Sequence, residues 1–394
     1  MRVPEWVPRG TRGVAILGII LGLVGLELAL PPLQVESIAV PIAFGLAAMA
    51  CALWAIGRDE RKLGIWAGVV AIMSMSAAIW VQSVNSDQTA LVLNAGLFAS
   101  TLVYATPLAY AALGGIFSER AGVVNIGLEG MMLTGAFFGI WGTTKSGHWE
   151  IGLLTAIVFG GLMALVHAVF SIHLRADQIV TGTAINFLAV GITGYLFIDI
   201  YGDNGTPARI DTVPNIHLPG ISSLPWLGPV FGSLNLMIWI VFALLVLTHL
   251  VLFRTPIGLR IRSVGEHPRA ADTVGIPVYR VRYAAVILSG MLAALGGAYL
   301  SIGFVGSFSQ NMTAGRGFIA LAAVIFGKWR PYGAFAACLL FGFSSGLADR
   351  LQSVAGTSVN LLSTLPYVLT LIALVGLVGR SRAPAADGQP YVKG

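Results

Sequence analysis

The feature that most constrains this chain is a succession of apolar runs, each long enough to cross a lipid bilayer. VAILGIILGLVGLELAL from Val14 holds one carboxylate, and IGLLTAIVFGGLMALVHAVFSI from Ile151 holds none. A hydrocarbon layer takes about 20 helical residues, so runs of this kind read as membrane spans. Only 10% of the 394 residues are charged and 56% are hydrophobic, whereas an ordinary soluble domain carries about 25% charged residues. Too little polar surface remains to cover a water-soluble body. In lipid each span must satisfy its own backbone, so the runs are helices.

Breaks at charged, Pro-rich or polar stretches give about twelve candidate segments, and the expected fold is an all-α polytopic transmembrane bundle of about 10 to 12 spans. The segments fall at roughly 14–30, 39–56, 64–82, 90–116, 123–142, 150–172, 178–198, 235–253, 283–303, 314–327, 332–348 and 360–378. With the N-terminus inside, nineteen of the 23 Lys and Arg residues lie in cytoplasmic loops. Lys145, Arg209, Arg316 and Arg350 are the exceptions. This positive-inside bias predicts a multi-pass inner-membrane protein with both termini cytoplasmic. Trp54 and Trp66 flank one short loop and Trp141 and Trp149 another, as interface-seeking indoles should. The net charge of +6 therefore reports topology and contact with membrane lipid, not nucleic acid.

Cys51 and Cys338 sit far apart inside apolar runs, which offers neither a disulfide framework nor metal-ligand spacing. Arg2, Arg9 and Arg12 before the first run imitate a signal peptide. That run is long and no A-x-A site follows it, so an uncleaved first span is expected. The segment 314–327 is too short to span comfortably and opens on Gly315, Arg316 and Gly317; it reads as a half-helix, which membranes tolerate where freed backbone groups face protein or a wet cavity. AALGG occurs at Ala111–Gly115 and again at Ala293–Gly297, consistent with an internal two-part repeat of the kind frequent in transporters.

Two loops exceed simple connectors. One, from Asp199 to Leu234, holds five prolines; the other, from Arg254 to Arg282, carries six arginines. In the second, Pro268 suits a first helical position, Gly275 the residue past a helix end, and Pro277 blocks continuation, so a short helix is predicted over Pro268–Val274. On residues alone, this loop is either a topology-setting basic segment or a docking lever for a cytoplasmic partner.

ERAGVVNIGLEGMMLTGAF from Glu119, RADQIVTGTAINFLA from Arg175, GLRIRSVGEHPRAADTVGIPV with LSGMLAALGGAYLS, and GRGFIALAAVIFGKWRPYGA follow one another between about Val92 and Gly379. In order and spacing they closely resemble permease subunits of bacterial ABC importers for nucleosides and related simple sugars, and most of all the smaller of two paired permeases. The resemblance implies translocation by alternating access. It also implies an ABC ATPase subunit that carries ATP and Mg, a second related permease subunit, and an extracytoplasmic substrate-binding protein or lipoprotein, with no cofactor on this chain. It further implies that Glu266 to Ile276 is the ATPase-coupling segment, with Pro268 opening its helix, Arg269 and Asp272 as polar contacts and Gly275 as its stop. Residues 1–85 depart from the pattern by adding about three spans, which leaves 86–380 as the permease core and 381–394 as a cytoplasmic tail.

Glu129 is the one acid in its segment, and a carboxylate at the centre of a membrane helix costs about 2.5 to 3.5 kcal/mol on insertion scales. It must face protein or water. It either lines the substrate route or pins its helix to a neighbour's backbone amides, and the pin is preferred because a route for neutral solutes needs weak contacts. Asn125, four residues earlier, would share its helical face and donate to it. Asn186 is an interhelical hydrogen-bonding residue or a pathway contact, with packing preferred. Arg316 either presents a cation near the outer mouth or snorkels to headgroups. His167 has no acid three or four positions away and reads as a hydrogen-bonded core residue.

GFSSG at Gly342–Gly346 fits a nucleophile pattern but sits inside an apolar helix, where it reads as a small-residue contact. No G-x-x-x-x-G-K-[ST] loop occurs, so ATP phosphates have no usual cradle here, and no Cys/His cluster suggests a metal. The chain is therefore expected to be a transport subunit, not an enzyme. The alternative function is an ion-coupled secondary transporter working through Glu129.

Overall fold

The structure is a computed structural model that describes residues 11–29, 37–58, 60–83, 95–202, 205–207, 209–222, 224, 228–355 and 382–393. The chain divides into two compact units, one of residues 1–97 and 347–379 and the other of 98–346 and 380–394. The final segment of the chain thus packs with the second unit.

In the first unit, α1 (Thr11–Ala29), α2 (Ala39–Gly57) and α3 (Arg61–Ser83) each pack on the other two. On α1 the buried positions are Ala15, Gly18, Gly22, Gly25 and Ala29, a stripe of small residues at helical spacing, while Ile20 and Leu23 stay exposed. Small faces let helix backbones approach where lipid supplies no hydrophobic drive between helices.

The second unit begins with α4 (Ala95–Arg120), α5 (Leu128–Ser146), α6 (Trp149–Ala168) with a π-helical turn at Val169–His173, and α7 (Gln178–Tyr201). A short antiparallel pair follows, β1 (Asn215–His217) with β2 (Ser233–Asn235), which sets Ile216 opposite Leu234. Then come α8 (Leu236–Arg254), α9 (Pro256–Glu266), α10 (Pro268–Thr273), α11 (Val278–Ala298) with a π-helical turn at Tyr299–Val305, α12 (Arg316–Phe326) and α13 (Pro331–Ala355).

The centre of this unit is α5, buried over nearly its whole length against α6, α7 and α11. Glycine makes the approach possible. A Cβ on Gly135 would lie 2.4 Å from the Ala294 Cα, and one on Gly297 would lie 1.7 Å from the Met132 carbonyl oxygen. Each AALGG copy packs on the helix that carries the other: Gly114 abuts the Ser289 carbonyl of α11 and Gly296 the Pro107 carbonyl of α4. Gly342 of the GFSSG stretch likewise approaches the Thr101 carbonyl, inside a helix as expected.

Among the described residues, eight helices are long and apolar enough to cross a membrane, and α12 is a short apolar helix at the position of the expected half-helix. Two expectations change. The segment expected to run from 123 begins its helix only at Leu128, because residues 121–127 have no helical ladder. The arginine-rich loop holds a second helix, α9, capped by the Thr255 side chain with Pro256 in its first turn. The short helix expected over about Pro268–Val274 is present as Pro268–Thr273, with Val274 as its C-cap. The candidate span 360–378 lies outside the described residues.

Candidate functional site

Residues 121–127 cross the interior without regular structure, so each buried peptide group there needs a partner from elsewhere. Gly122 turns the chain at φ +83°. Ser118 Oγ donates to the Val123 carbonyl at 2.6 Å. The Val124 amide donates to Gln178 Oε1 at 2.7 Å, and the Val124 carbonyl lies 3.2 Å from His167 Nε2. Asn186 closes the joint from both sides: its Nδ2 donates to the Ile126 carbonyl at 3.1 Å and its Oδ1 accepts from the Gly130 amide at 2.8 Å. His167 is fully buried and hydrogen-bonded.

Asn125 does not share a helical face with Glu129. The helix starts after it, so the four-residue spacing carries no face, and its Nδ2 donates instead to Ser289 Oγ at 3.0 Å. Its buried Oδ1 has no hydrogen-bond partner among the described residues.

Glu129, in the first turn of α5, reaches the N-terminus of α12. Its Oε1 accepts from Thr313 Oγ1 at 2.6 Å and from the Gly315 amide at 2.8 Å, and its Oε2 accepts from the Gly317 amide at 2.6 Å. A helix N-terminus presents unpaired amides and partial positive charge, which a carboxylate satisfies. The surrounding sequence is fitted to this contact: Gly315 takes φ +84°, and a Cβ on Gly317 would lie 2.5 Å from the Glu129 Cα. Arg316 points back, its Nη1 donating to the Met312 and Thr313 carbonyls at 3.0 and 3.1 Å. Asn186, Glu129 and Arg316 thus belong to one assembly that fixes the start of α5 against the half-helix α12. Sequence reasoning missed Thr313, Gln178 and Ser289; only the two glycines around Arg316 signalled a helix start in need of an anion.

A second cluster forms where α4, α9, α10 and α11 end together. Arg120 donates through Nε and Nη2 to the Trp329 carbonyl at 3.1 and 3.0 Å, and the Trp329 indole donates to the Glu119 carboxylate. A Cβ on Gly265 would lie 2.1 Å from the Arg120 carbonyl oxygen, so α9 rests directly on the end of α4. Beyond it, α10 ends in a paired closure: the Gly275 amide donates to the Asp272 carbonyl at 2.9 Å and the Ile276 amide to the Ala271 carbonyl at 3.0 Å. That is a Schellman arrangement with glycine at φ +84°. Glu266, Arg269 and Gly275 are exposed, while Pro268 and Asp272 are half-buried. The face they form is polar and accessible.

A lipid-spanning bundle in which the start of α5 is pinned to a half-helix inside the protein, with a short helix held between two spans, has the build of a membrane permease. Residues 97–374 match the family described as branched-chain amino acid transport system / permease component, and the chain belongs to that family. The guanosine ABC transporter permease protein NupQ of Bacillus subtilis is 45% identical over 311 residues, covering 75% of this chain and 96% of NupQ. The nucleoside ABC transporter permease protein NupC of Lactococcus lactis is 39% identical over 307 residues, with the same coverage of 75% and 96%. A second B. subtilis guanosine permease, NupP, is 27% identical over 255 residues, covering 62% of this chain and 72% of NupP. The first 96 residues lie outside the family match.

Proposed function

We propose that this chain is the membrane-spanning permease subunit of an ATP-driven importer that translocates nucleosides or related simple sugars by alternating access. The observation that carries the reading is the match to NupQ along nearly that protein's entire length. The family description speaks of branched-chain amino acids, but the substrate follows the closer relatives, whose names specify guanosine and nucleosides. ATP and Mg are bound and hydrolysed on a separate ATPase subunit, and an extracytoplasmic binding protein delivers the solute. NupP and NupQ, two guanosine permeases of one organism that both resemble this chain, support a second related permease as its partner.

In this reading both termini and the segment from Glu266 to Ile276 face the cytoplasm, and the ATPase engages Arg269 and Asp272. The helices then exchange between two arrangements, each ligand acting only through its differential affinity for them. Three donors already hold the Glu129 oxygens, which supports the pin over an ion-coupling carboxylate. Uptake of labelled guanosine and pentoses into proteoliposomes holding the whole complex tests the proposal. Uptake should cease when ATP hydrolysis is blocked with the proton gradient kept; its persistence would establish the ion-coupled alternative.

A further inference from the structure

The end of the chain is tied into the arginine-rich face. The Ala386 amide donates to the Gly265 carbonyl at 2.9 Å, and the Ala385 amide to Glu266 Oε2 at 3.2 Å. Further along, Arg282 Nη1 donates to the Gln389 carbonyl at 2.9 Å, and Tyr279 Oη donates to the Tyr391 carbonyl at 3.2 Å. Tyr391 is buried in an apolar cluster with Val264, Ala271 and Val278. Those three residues come from α9, α10 and α11 respectively. One aromatic ring therefore sits where the coupling helix meets the two helices that flank it.

The need for such a tie follows from length. α10 has six residues, far below the roughly 12 to 15 at which an isolated helix becomes even marginal in water. Of its own side chains only Ala271 is buried, so its position depends on what covers that residue. Arg282 adds a second constraint: it is fully buried, and its Nε and Nη2 have no hydrogen-bond partner among the described residues, so the Gln389 carbonyl is a bond the guanidinium would lose without the tail.

We propose that residues 382–393 act as a clasp that holds the coupling segment in its docking pose, with Tyr391 as the positioning residue. The inference rests on the importer reading and goes beyond it, because the ATPase then meets a helix already in place. If only a fraction of permease molecules present that pose, the apparent dissociation constant for the ATPase rises by the reciprocal of the fraction.

The test measures the affinity of full-length permease in nanodiscs for the ATPase subunit that co-purifies with it. The variants are Tyr391→Ala, Tyr391→Phe and a chain ending at Ala383. Hydrogen exchange over residues 264–278 is followed in parallel. Tyr391→Ala and the truncation should each weaken ATPase binding at least about tenfold and release exchange protection around α10. Tyr391→Phe keeps the ring and should bind within about twofold of wild type. Wild-type affinity in both Tyr391→Ala and the truncated chain, or lost protection with no loss of affinity, overturns the clasp while leaving the importer reading intact. Failure of the wild-type permease to bind any ATPase would defeat both.

Discussion

Glu129 and Gly317 are in contact through both backbone and side chain: the carboxylate accepts the Gly317 amide at 2.6 Å, and the space where a Cβ would stand at 317 is filled by the Glu129 main chain. The contact joins a helix of the central bundle to the first turn of the half-helix. It explains at once why a carboxylate sits in an apolar run and why glycines flank Arg316.

Gly317→Ala should therefore separate α12 from α5. The added methyl meets backbone, which cannot rotate away as a side chain can, and overpacking of this kind costs about 1–3 kcal/mol. Thermal unfolding of the detergent-solubilised permease should show a lowered midpoint, accompanied by reduced uptake. An unshifted midpoint would mean the two helices have slack.

Glu129→Gln separates hydrogen bonding from mere size. The amide oxygen can replace Oε1 against Thr313 and Gly315, but the amide nitrogen then points a donor at the Gly317 donor. A buried donor left unsatisfied costs about 1–3 kcal/mol. The expected result is a destabilised permease whose uptake falls in proportion to folded protein. Full stability with uptake abolished would instead put the carboxylate on the substrate route.

Asn186→Leu removes both bonds that close the joint, to the Ile126 carbonyl and the Gly130 amide. The buried Gly130 amide loses its partner at about 1–3 kcal/mol, and the part-buried Ile126 carbonyl loses its own, so expression in folded form should drop sharply. Asn186→Asp keeps the acceptor for Gly130 and loses the donor to Ile126, so it should fall between. Equal stability for the two variants would contradict the two-sided bridge.

Docking of the tail should depend on pH through Asp387. Burial raises its carboxyl from 3.8 to about 7, against the opposing pull of Arg282 and of the Gly388 amide. Arg282 faces it from α11 and Glu119 from α4. A raised acid binds protons when docked that it does not bind when free, so docking weakens as pH rises through that window. Hydrogen exchange of residues 382–393 should be slower at about pH 6 than at about pH 8, and Asp387→Asn should remove most of the difference. A wild-type tail that exchanges equally at both values, after correction for intrinsic rates, would exclude the effect.

Much of this was readable in advance because lipid imposes a one-dimensional rule: an apolar stretch of the right length is a helix. The runs from Val14 and Ile151 obey it. α5 is harder to delimit, because its neighbours are protein, and the glycines and polar residues that begin it serve contacts with α7, α11 and α12. The Asn125 spacing misled for the same reason, since spacing has meaning only once a helix has begun. α9 escaped notice because its arginines resemble a basic loop, although Thr255 and Pro256 are a legible cap. Asn186 and His167 were legible as hydrogen-bonding core residues, but the groups they hold in the joint, and the part of Gln178, are set by the fold alone. The tail escaped because a polar stretch such as RAPAADGQPYVK carries no periodicity, and only its tyrosine marks a place to be buried.

Residues 121–127 own almost none of the hydrogen bonds that keep them in place. The last turn of α4 holds residues 121–123, Ser289 of α11 takes Asn125, and α6 and α7 lend the partners of Val124 and Ile126, while α9 leans on the peptide just before them. A displacement of Gly265 would press on the Arg120 carbonyl, and each peptide beyond it that shifted would have to take its partner along or lose its hydrogen bond. Such a joint behaves as a gear tooth rather than a hinge.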